Sequence, residues 1–332
     1  MPIAHSPLRY PGGKAVLSDF LADVIAVNDL QDGVYVEPYA GGAGAALTLL
    51  FGEHVQRIVL NDADPCVYAF WDAVLNRKDD FVRRLTETPV TINEWKRQRD
   101  IYRNQRRHSR IKVAFASFYL NRCNRSGIMV NGGPIGGFEQ TGKWKLDARY
   151  NRDELIRRIE KIHLYRDRIE IHNLDAIDFL SDVVGRSAAV DETLVYLDPP
   201  YYVKGSELYL NHYRPDDHAK LAASIKRQTG NRWLMTYDDV PEIHDLYNGC
   251  NTAHFDLRYS AHTSRLGSEL LIWSSSLSVR CSEYLNMGST LKAVHTSFVP
   301  RAPSTTTSVM PYEVAEQGAS PDATSGAGEL RR

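Results

Sequence analysis

The tetrapeptide Asp198-Pro199-Pro200-Tyr201 directly follows the strand-like run TLVYL. At the carboxyl end of a parallel strand, it would lie where open α/β sheets bind ligands. The Asp198 carboxylate and the Pro199 carbonyl, which the prolines hold rigid by fixing φ, can accept both protons of an exocyclic amino group. Such an amine, for example N6 of adenine, is a poor nucleophile until its geometry becomes tetrahedral. Tyr201 offers a face for an unstacked base, and a simple turn is the alternative interpretation.

A glycine-rich turn follows another strand-like segment, in the order Val36-Glu37-Pro38-Tyr39-Ala40-Gly41-Gly42-Ala43-Gly44. Glycines permit positive φ and let a ligand approach the backbone closely. The G-x-G-x-x-G register of dinucleotide enzymes is absent, and the Glu37 carboxylate would repel a pyrophosphate. The same carboxylate suits a sulfonium amino acid with its cationic amino group. Asp62 follows the next strand-like run, where ribose hydroxyls are usually held in sheets of this kind.

A third motif, Leu8-Arg9-Tyr10-Pro11-Gly12-Gly13-Lys14, stands near the amino terminus. It is similar to a phosphate loop but lacks G-x-x-x-x-G-K-[ST], which excludes nucleotide hydrolysis. An ordinary turn with an isolated lysine is the alternative. The four cysteines form no C-x-x-C pair, so we expect neither a disulfide framework nor a metal site.

Apolar β-rich runs alternate with helical patterns, which is typical of a parallel sheet wound with helices. The predicted strands are residues 34–38, 57–61, 169–173, 194–198 and 233–237, and the predicted helices are residues 44–51, 65–75 and 215–229. Residues 254–259 and 268–273 predict an antiparallel hairpin that closes the sheet.

The charge is unevenly distributed along the 332 residues. Residues 77–149 contain 17 basic and 7 acidic residues, hence a local charge of +10 in a chain whose net charge is −1. A basic face of this kind suits a polyanion, although solvated charged helices explain part of the pattern. We expect a discontinuous catalytic domain (residues 1–76 and 151–275), an inserted helical recognition lobe (77–150), an extension (276–295) and a disordered tail (296–332).

The three motifs, in this order, resemble those of the Dam-type α group of N6-adenine-specific DNA methyltransferases. That family has a P-G-G-K or A-G-G-K loop, then E-P-F-x-G-x-G, an inserted target-recognition lobe, and D-P-P-Y. The resemblance covers about residues 5–275, with further matches at 121–128, 146–151 and 268–272. Tyr39 replaces the usual Phe, and the loop reads A-G-G-A-G. The resemblance implies a Rossmann-like, mostly parallel α/β sheet with a closing antiparallel hairpin and S-adenosylmethionine as cofactor.

The resemblance also implies the roles of individual residues. The cofactor would be held by Tyr10, Lys14, Glu37, Pro38, Tyr39, Gly41, Gly42, Gly44, Asp62, Asp175 and Asp198. For Asp175, a helix cap is the alternative. The catalytic group would be Asp198, Pro199, Pro200 and Tyr201, and the DNA contacts would be Arg9, Arg122, Asn124, Arg125 and Ser126. Arginine and asparagine can make bidentate contacts to guanine and adenine edges.

We therefore expect an adenine to be flipped out of double-stranded DNA and to attack the methyl group directly. The protein would act as a monomer in a bacterial cytoplasm or a phage-infected bacterium, without membrane insertion, and a cognate restriction endonuclease is a possible partner. Three alternatives remain open: N4-cytosine methylation, protein glutamine methylation, and DNA binding without catalysis. Cys66 follows the second strand rather than the fourth, so cytosine-C5 chemistry is not expected.

Overall fold

The computed structural model describes residues 5–10, 14–129, 131–186, 189–203, 213–227, 231–259 and 265–280. The predicted tail at 296–332 and most of the extension at 276–295 lie outside these residues. So do Pro11, Gly12 and Gly13 of the amino-terminal motif.

Within the described chain, seven strands form one sheet in the order β3-β2-β1-β4-β5-β7-β6. The strands are β1 (Val34–Glu37), β2 (Arg57–Asn61), β3 (Ile169–His172), β4 (Thr193–Leu197), β5 (Arg232–Asp238), β6 (Asn251–Tyr259) and β7 (Arg265–Trp273). Strands β1 to β5 pair in parallel, whereas β7 is antiparallel to both β5 and β6. The central strands are rich in Val, Ile and Leu because helices cover both of their faces.

Ten α-helices are present in the described residues. They are α1 (Ser18–Val27), α2 (Gly44–Phe51), α3 (Pro65–Asn76), α4 (Lys78–Glu87), α5 (Ile92–Arg103), α6 (Arg110–Cys123), α7 (Arg152–Leu164), α8 (Ala176–Phe179), α9 (Pro215–Arg227) and α10 (Pro241–Leu246). Local sequence explains several starts. Asp64 caps α3 by accepting from Cys66 N, and Thr91 caps α5 by accepting from Glu94 N. Each of these helices is too short or too polar to cross a bilayer.

Helices α4, α5 and α6 lie within residues 77–150, called the lobe below, and share a hydrophobic core with the sheet. Helix α6 is buried along most of its length, and the Phe118 ring stacks on Phe70 of α3 with centroids 5.9 Å apart. Phe81 of α4 contacts both rings edge-on. The separation of residues 77–150 as a lobe of its own stays a prediction. Aromatic packing nevertheless fixes α4 and α6 of the lobe against α3.

The mostly parallel α/β sheet with an antiparallel hairpin confirms the expected fold class. The observed strands differ from the predicted ones by one residue at most for β1 to β5. The hairpin strands begin three residues earlier than predicted, at Asn251 and Arg265. Polar residues at these ends hide the strand pattern, but pairing along the whole of β6 and β7 satisfies their backbone groups.

Candidate active site

A cavity of about 900 Å³ lies at the carboxyl ends of β1, β2 and β4. Its walls include the turn from Glu37 to Ala45, residues 62–64 and 175–177, and both Asp198 and Pro200. Further walls come from the amino-terminal residues Arg9 and Tyr10 and from the lobe residues Tyr102, Arg122 and Met129. The three sequence motifs therefore meet in one space, as expected for open parallel sheets.

The glycine-rich turn is shaped by close contact with Tyr10. Gly41 has φ +45°, and a Cβ there would lie 2.8 Å from the Tyr10 ring. Any other side chain would be strained and would collide with that ring. Gly41 is held from both sides, because its N–H donates to Asp62 Oδ2 at 2.9 Å and its carbonyl accepts from Trp71 Nε1 at 3.0 Å. The turn thus presents bare backbone to the cavity.

Glu37 ends β1 and is almost completely buried. Its Oε1 accepts hydrogen bonds from Tyr35 Oη at 3.1 Å and from Ala46 N at 3.2 Å. Burial raises the pKa of Glu37 to about 8, and these two hydrogen bonds only partly oppose the rise. The carboxyl is therefore largely protonated at neutral pH unless a cation enters the cavity.

Asp62 follows β2 and accepts from Gly41 N and, at 2.9 Å, from Asp64 N. Burial, and then the charge of Asp64, raise the pKa of Asp62 to about 7. The neighbouring Asn61 donates to the carbonyls of Pro38 and Leu174, at 3.0 and 3.1 Å, and accepts from Leu174 N at 2.9 Å. One amide side chain therefore ties the ends of β1, β2 and β3 together.

Asp175 follows β3 and is exposed at the cavity wall. It caps α8 by accepting from Ile177 N at 2.8 Å. The helix-cap alternative is thus realised, and the same carboxyl group remains part of the cavity lining.

A buried ionic network connects the amino-terminal motif to Asp198. Lys14 Nζ lies 3.2 Å from Asp198 Oδ1, 3.1 Å from Glu269 Oε1 and 3.0 Å from the Tyr201 hydroxyl. The Tyr201 hydroxyl donates to Glu269 Oε1 at 2.8 Å. Burial alone would lower the pKa of Lys14, but Asp198 and Glu269 raise it well above its usual value. Lys14 is therefore a permanent cation between two carboxylates.

The two oxygens of Asp198 have different environments. Oδ1 accepts from Thr236 Oγ1 at 3.2 Å in addition to its contact with Lys14, and Thr236 is itself bonded to the Tyr196 hydroxyl at 2.8 Å. No described residue donates a hydrogen bond to Oδ2, and no described backbone N–H donates to the Pro199 carbonyl. Burial raises the pKa of Asp198, and Lys14 opposes the rise. One oxygen is thus fixed while the other is available to a ligand.

Basic residues line the side of the cavity formed by the lobe. Arg122 donates from Nε to the Arg149 carbonyl at 2.7 Å, and Arg9 donates to the Asn124 carbonyl at 3.1 Å. Burial, together with the charges of Arg9 and Arg158, lowers the pKa of Arg122 to about 9. Because Arg122 lies close to the positive charges of Arg9 and Arg158, an anion bound beside it would be stabilised.

Comparison with known families identifies the type of enzyme. The family model of the D12 class N6 adenine-specific DNA methyltransferases matches residues 10–261. The chain belongs to this family. It is therefore a DNA methyltransferase that acts on adenine and takes its methyl group from S-adenosylmethionine, as expected from the motifs.

Solved structures with weaker likeness were also found. The rRNA methyltransferase AviRa from Streptomyces viridochromogenes is 16% identical, covering 77% of this chain and 84% of its own, with a TM-score of 0.34. A protein from Listeria monocytogenes, described as a class I S-adenosylmethionine-dependent methyltransferase, is 10% identical, covering 80% of this chain and 61% of its own, also with a TM-score of 0.34. No curated protein matches the methyltransferase in sequence.

Two predicted site residues of the methyltransferase are placed differently from expectation. Tyr201 was predicted to stack on a base, but its ring is buried, Lys14 Nζ lies 5.3 Å from its centroid, and it is not among the cavity walls. Asn124 was predicted to contact DNA, but it is fully buried. Its amide accepts from Trp95 Nε1 and donates to the Ile128 carbonyl, each at 2.7 Å. Both side chains therefore make internal contacts, Tyr201 with Lys14 and Glu269 and Asn124 with Trp95 and Ile128.

The other predicted residues lie at or beside the cavity. Among those that line it are Arg9, Tyr10, Lys14, Glu37, Pro38, Tyr39, Gly41, Gly42, Gly44, Asp62, Arg122, Asp175, Asp198 and Pro200. Pro199 is buried behind this wall, Arg125 is exposed on the lobe, and Ser126 is partly exposed with φ +54°. Cys66 is buried in α3, and burial raises the pKa of its thiol, so it is not an activated nucleophile.

Sequence reasoning gave no role to Glu269, Thr236 or Tyr213 of the methyltransferase. Glu269 is fully buried and bonded to Lys14. The sequence did contain a signal for Glu269, because this acid lies within the apolar run S-E-L-L-I. A buried carboxylate requires an opposite charge or a hydrogen-bond donor beside it. Tyr213 lines the cavity, and its hydroxyl is 2.8 Å from that of Tyr39. No local pattern distinguishes Tyr213 from the other tyrosines of the chain.

Proposed function

We propose that Asp198 Oδ2 and the Pro199 carbonyl hold the N6 amino group of an adenine that has been rotated out of the DNA duplex. The observation that carries this proposal is the asymmetry of Asp198, whose Oδ1 is fixed by Lys14 and Thr236. A fixed carboxylate needs no reorganisation when positive charge develops on N6 during the transfer. Removing the base from the stack costs a few kcal/mol, and the aromatic wall of Tyr39 and Tyr213 is available to pack against it.

The residues on the opposite side of the cavity suit the methyl donor. Bound S-adenosylmethionine supplies an electrophilic methyl group on its sulfonium sulfur. Glu37 is positioned for the cationic amino group, Asp62 for the ribose hydroxyls and Asp175 for the adenine end. The bare backbone of Gly41 and the volume of the cavity fit a nucleoside ligand of this size. Alignment of N6 with the methyl group would lower the barrier without a covalent enzyme intermediate.

The reaction product provides the direct test. DNA incubated with the protein and the methyl donor is digested to nucleosides, and the methylated nucleoside is identified. We expect N6-methyladenosine in its deoxy form. N4-methyldeoxycytidine in its place would overturn the assignment of the amine that Asp198 holds.

We expect the affinity for S-adenosylmethionine to rise with pH until about pH 8. Burial raises the pKa of Glu37 to about 8, so binding of a cationic amino group must release the proton. Each released proton changes affinity by up to about tenfold per pH unit below the pKa. Calorimetry in buffers of different ionisation enthalpy measures both the affinity and the number of protons released.

Glu37→Gln should bind the methyl donor more weakly and release fewer protons, since the amide cannot ionise. Glu160→Gln, at an exposed position on α7, is the matched control and should behave as the unchanged protein. Proton release that persists at the wild-type level in Glu37→Gln would assign the effect to Asp62 instead.

We propose that Arg9, Arg122, Arg125 and Ser126 face DNA, with the lobe's basic charge as the supporting observation. Replacing the exposed Arg125 with alanine should weaken DNA binding. If Arg125 contacts a phosphate, the slope of log affinity against log salt should become shallower by about 0.9. Anisotropy titrations across salt concentrations measure this slope.

Arg186→Ala is the control for the salt titration, because Arg186 is exposed outside the lobe and pairs with Asp182 at 3.4 Å. Its slope and affinity should equal those of the unchanged protein. An equal loss in both variants would show that the lobe does not direct DNA binding.

We further propose that the enzyme works as a monomer in the bacterial cytoplasm. The three motifs of a single chain meet in this cavity, and the substrate is DNA. Methyl transfer should therefore depend linearly on enzyme concentration.

A further inference from the structure

A cluster of metal-binding side chains lies away from the methyl-transfer cavity. Asp239 follows β5, His244 lies on α10, and His254 lies on β6. One potential ligand atom from each residue lies within 4.8 Å of the other two. None of these residues lines the cavity, and the proposed methyl transfer assigns them no task.

Both imidazoles point at the same carboxylate. His244 Nε2 is 2.8 Å from Asp239 Oδ1, and His254 Nδ1 is 3.0 Å from Asp239 Oδ2. The two rings are 5.4 Å apart and inclined by 30°. Zinc–nitrogen bonds of about 2.0 to 2.1 Å place neighbouring ligands of a tetrahedral ion roughly 3.3 Å apart. Small movements of three side chains would therefore create the coordination geometry.

The position of the cluster in the sheet keeps these ligands apart from the ionic network. His254 is registered with Leu270 of β7, which is registered with Tyr237 of β5. Glu269, the next residue along β7, points to the opposite face and meets Lys14 there. An ion at the cluster would thus not compete for the carboxylate that balances Lys14.

We propose that Asp239, His244 and His254 form a binding site for a divalent first-row transition-metal ion, specifically Zn²⁺. Two imidazoles and one carboxylate suit zinc and disfavour Mg²⁺ and Ca²⁺, which prefer oxygen ligands. A water molecule would complete the tetrahedron, because the three side chains remain between 20% and 40% exposed. Scattered cysteines gave no sign of this site, since none of its ligands is a thiol.

The site has a structural consequence for Tyr202 and Val203, which directly follow the Asp-Pro-Pro-Tyr motif. Asp238, directly before Asp239, accepts hydrogen bonds from Tyr202 N at 2.8 Å and Val203 N at 3.0 Å. An ion bound to Asp239 would join α10 and β6 to this strand end. We therefore expect Zn²⁺ to raise the thermal unfolding midpoint, as any ligand of the native state does.

The test uses the full chain without an affinity tag, titrated with Zn²⁺ by calorimetry after treatment with a chelator. We expect one ion per chain at this site. His244→Gln and His254→Gln should each weaken Zn²⁺ binding by more than about tenfold, because losing even a group that only orients a ligand has an effect of that size. His172→Gln is the matched control, because among the described residues Glu170, at 2.7 Å, is the one acidic partner of His172. It should leave the affinity unchanged.

Two further measurements keep the outcome decisive. Co²⁺ in place of Zn²⁺ should give visible absorption without the near-ultraviolet band of thiolate ligands, and that band would assign the ion to cysteine. His244 lies on the exposed side of a short helix, so its variant is expected to fold, which circular dichroism checks. If a folded His244→Gln protein binds Zn²⁺ with unchanged affinity, the three side chains only form hydrogen bonds with one another. That result would overturn the proposal.

Discussion

Replacing Asp198 with asparagine is expected to slow methyl transfer by about 10²- to 10³-fold, the usual loss when one preorganised electrostatic contact to a transition state is removed. Asparagine keeps the size of the side chain but removes the negative charge that is proposed to face the amine. It can also turn an N–H group toward N6, where an acceptor is required. Single-turnover measurement of methyl incorporation into DNA reads the chemical step without the influence of product release.

Binding of DNA and of the methyl donor should persist in Asp198→Asn, since the lobe and the glycine turn are unchanged. Asp178→Asn, on the exposed side of α8, is the matched control and should turn over normally. Wild-type turnover by Asp198→Asn would remove the catalytic assignment, and a rate loss explained by weaker ligand binding alone would give Asp198 a binding role instead.

Replacing Lys14 with methionine is expected to lower the free energy of unfolding by about 3 to 5 kcal/mol, as found when one partner of a buried ion pair is removed. Methionine fills a similar volume but leaves Asp198 and Glu269 without the cation that balances them. Glu269 has no exposed surface, so water cannot take over that function. Denaturant unfolding monitored by circular dichroism measures the change.

The double variant Lys14→Met with Glu269→Leu separates charge from packing. Because it removes a buried carboxylate together with its cation, it should be more stable than Lys14→Met alone. Lys112→Met, at an exposed position on α6, should change stability by less than about 0.5 kcal/mol. Additive effects of the two core changes would contradict a direct interaction between Lys14 and Glu269.

The alternation of apolar runs and helical patterns was sufficient to predict the sheet and its class, because burial on both faces leaves a clear signature in β1, β2 and β4. Residues at strand ends were equally readable, since Glu37, Asp62 and Asp198 are acids placed directly after apolar runs. The structure brings these acids to one cavity, and their proposed roles follow from that placement.

Contacts between residues that are far apart in the sequence could not be predicted from local patterns. Lys14 and Glu269 are separated by 255 positions, and only the closing hairpin brings β7 beside β5. Asn124 shows the opposite difficulty. Its residue type suits base recognition, but tertiary packing places it beneath Trp95 and the following loop. An asparagine on the surface and an asparagine whose amide hydrogen-bonds to internal groups have the same residue type. Local sequence therefore does not distinguish them.

The amide of Asn61 sets a limit on how the specificity of this enzyme for its methyl donor can be redesigned. Substitutions at Asp62 would alter its hydrogen bonds to Gly41 and Asp64, and substitutions at Asp175 would alter the cap of α8, so each affects one part of the proposed donor site. A substitution at Asn61 would remove the hydrogen bonds that join the ends of β1, β2 and β3. The backbone that positions the neighbouring side chains would then no longer be fixed. Directed evolution toward altered donors should therefore hold this position constant.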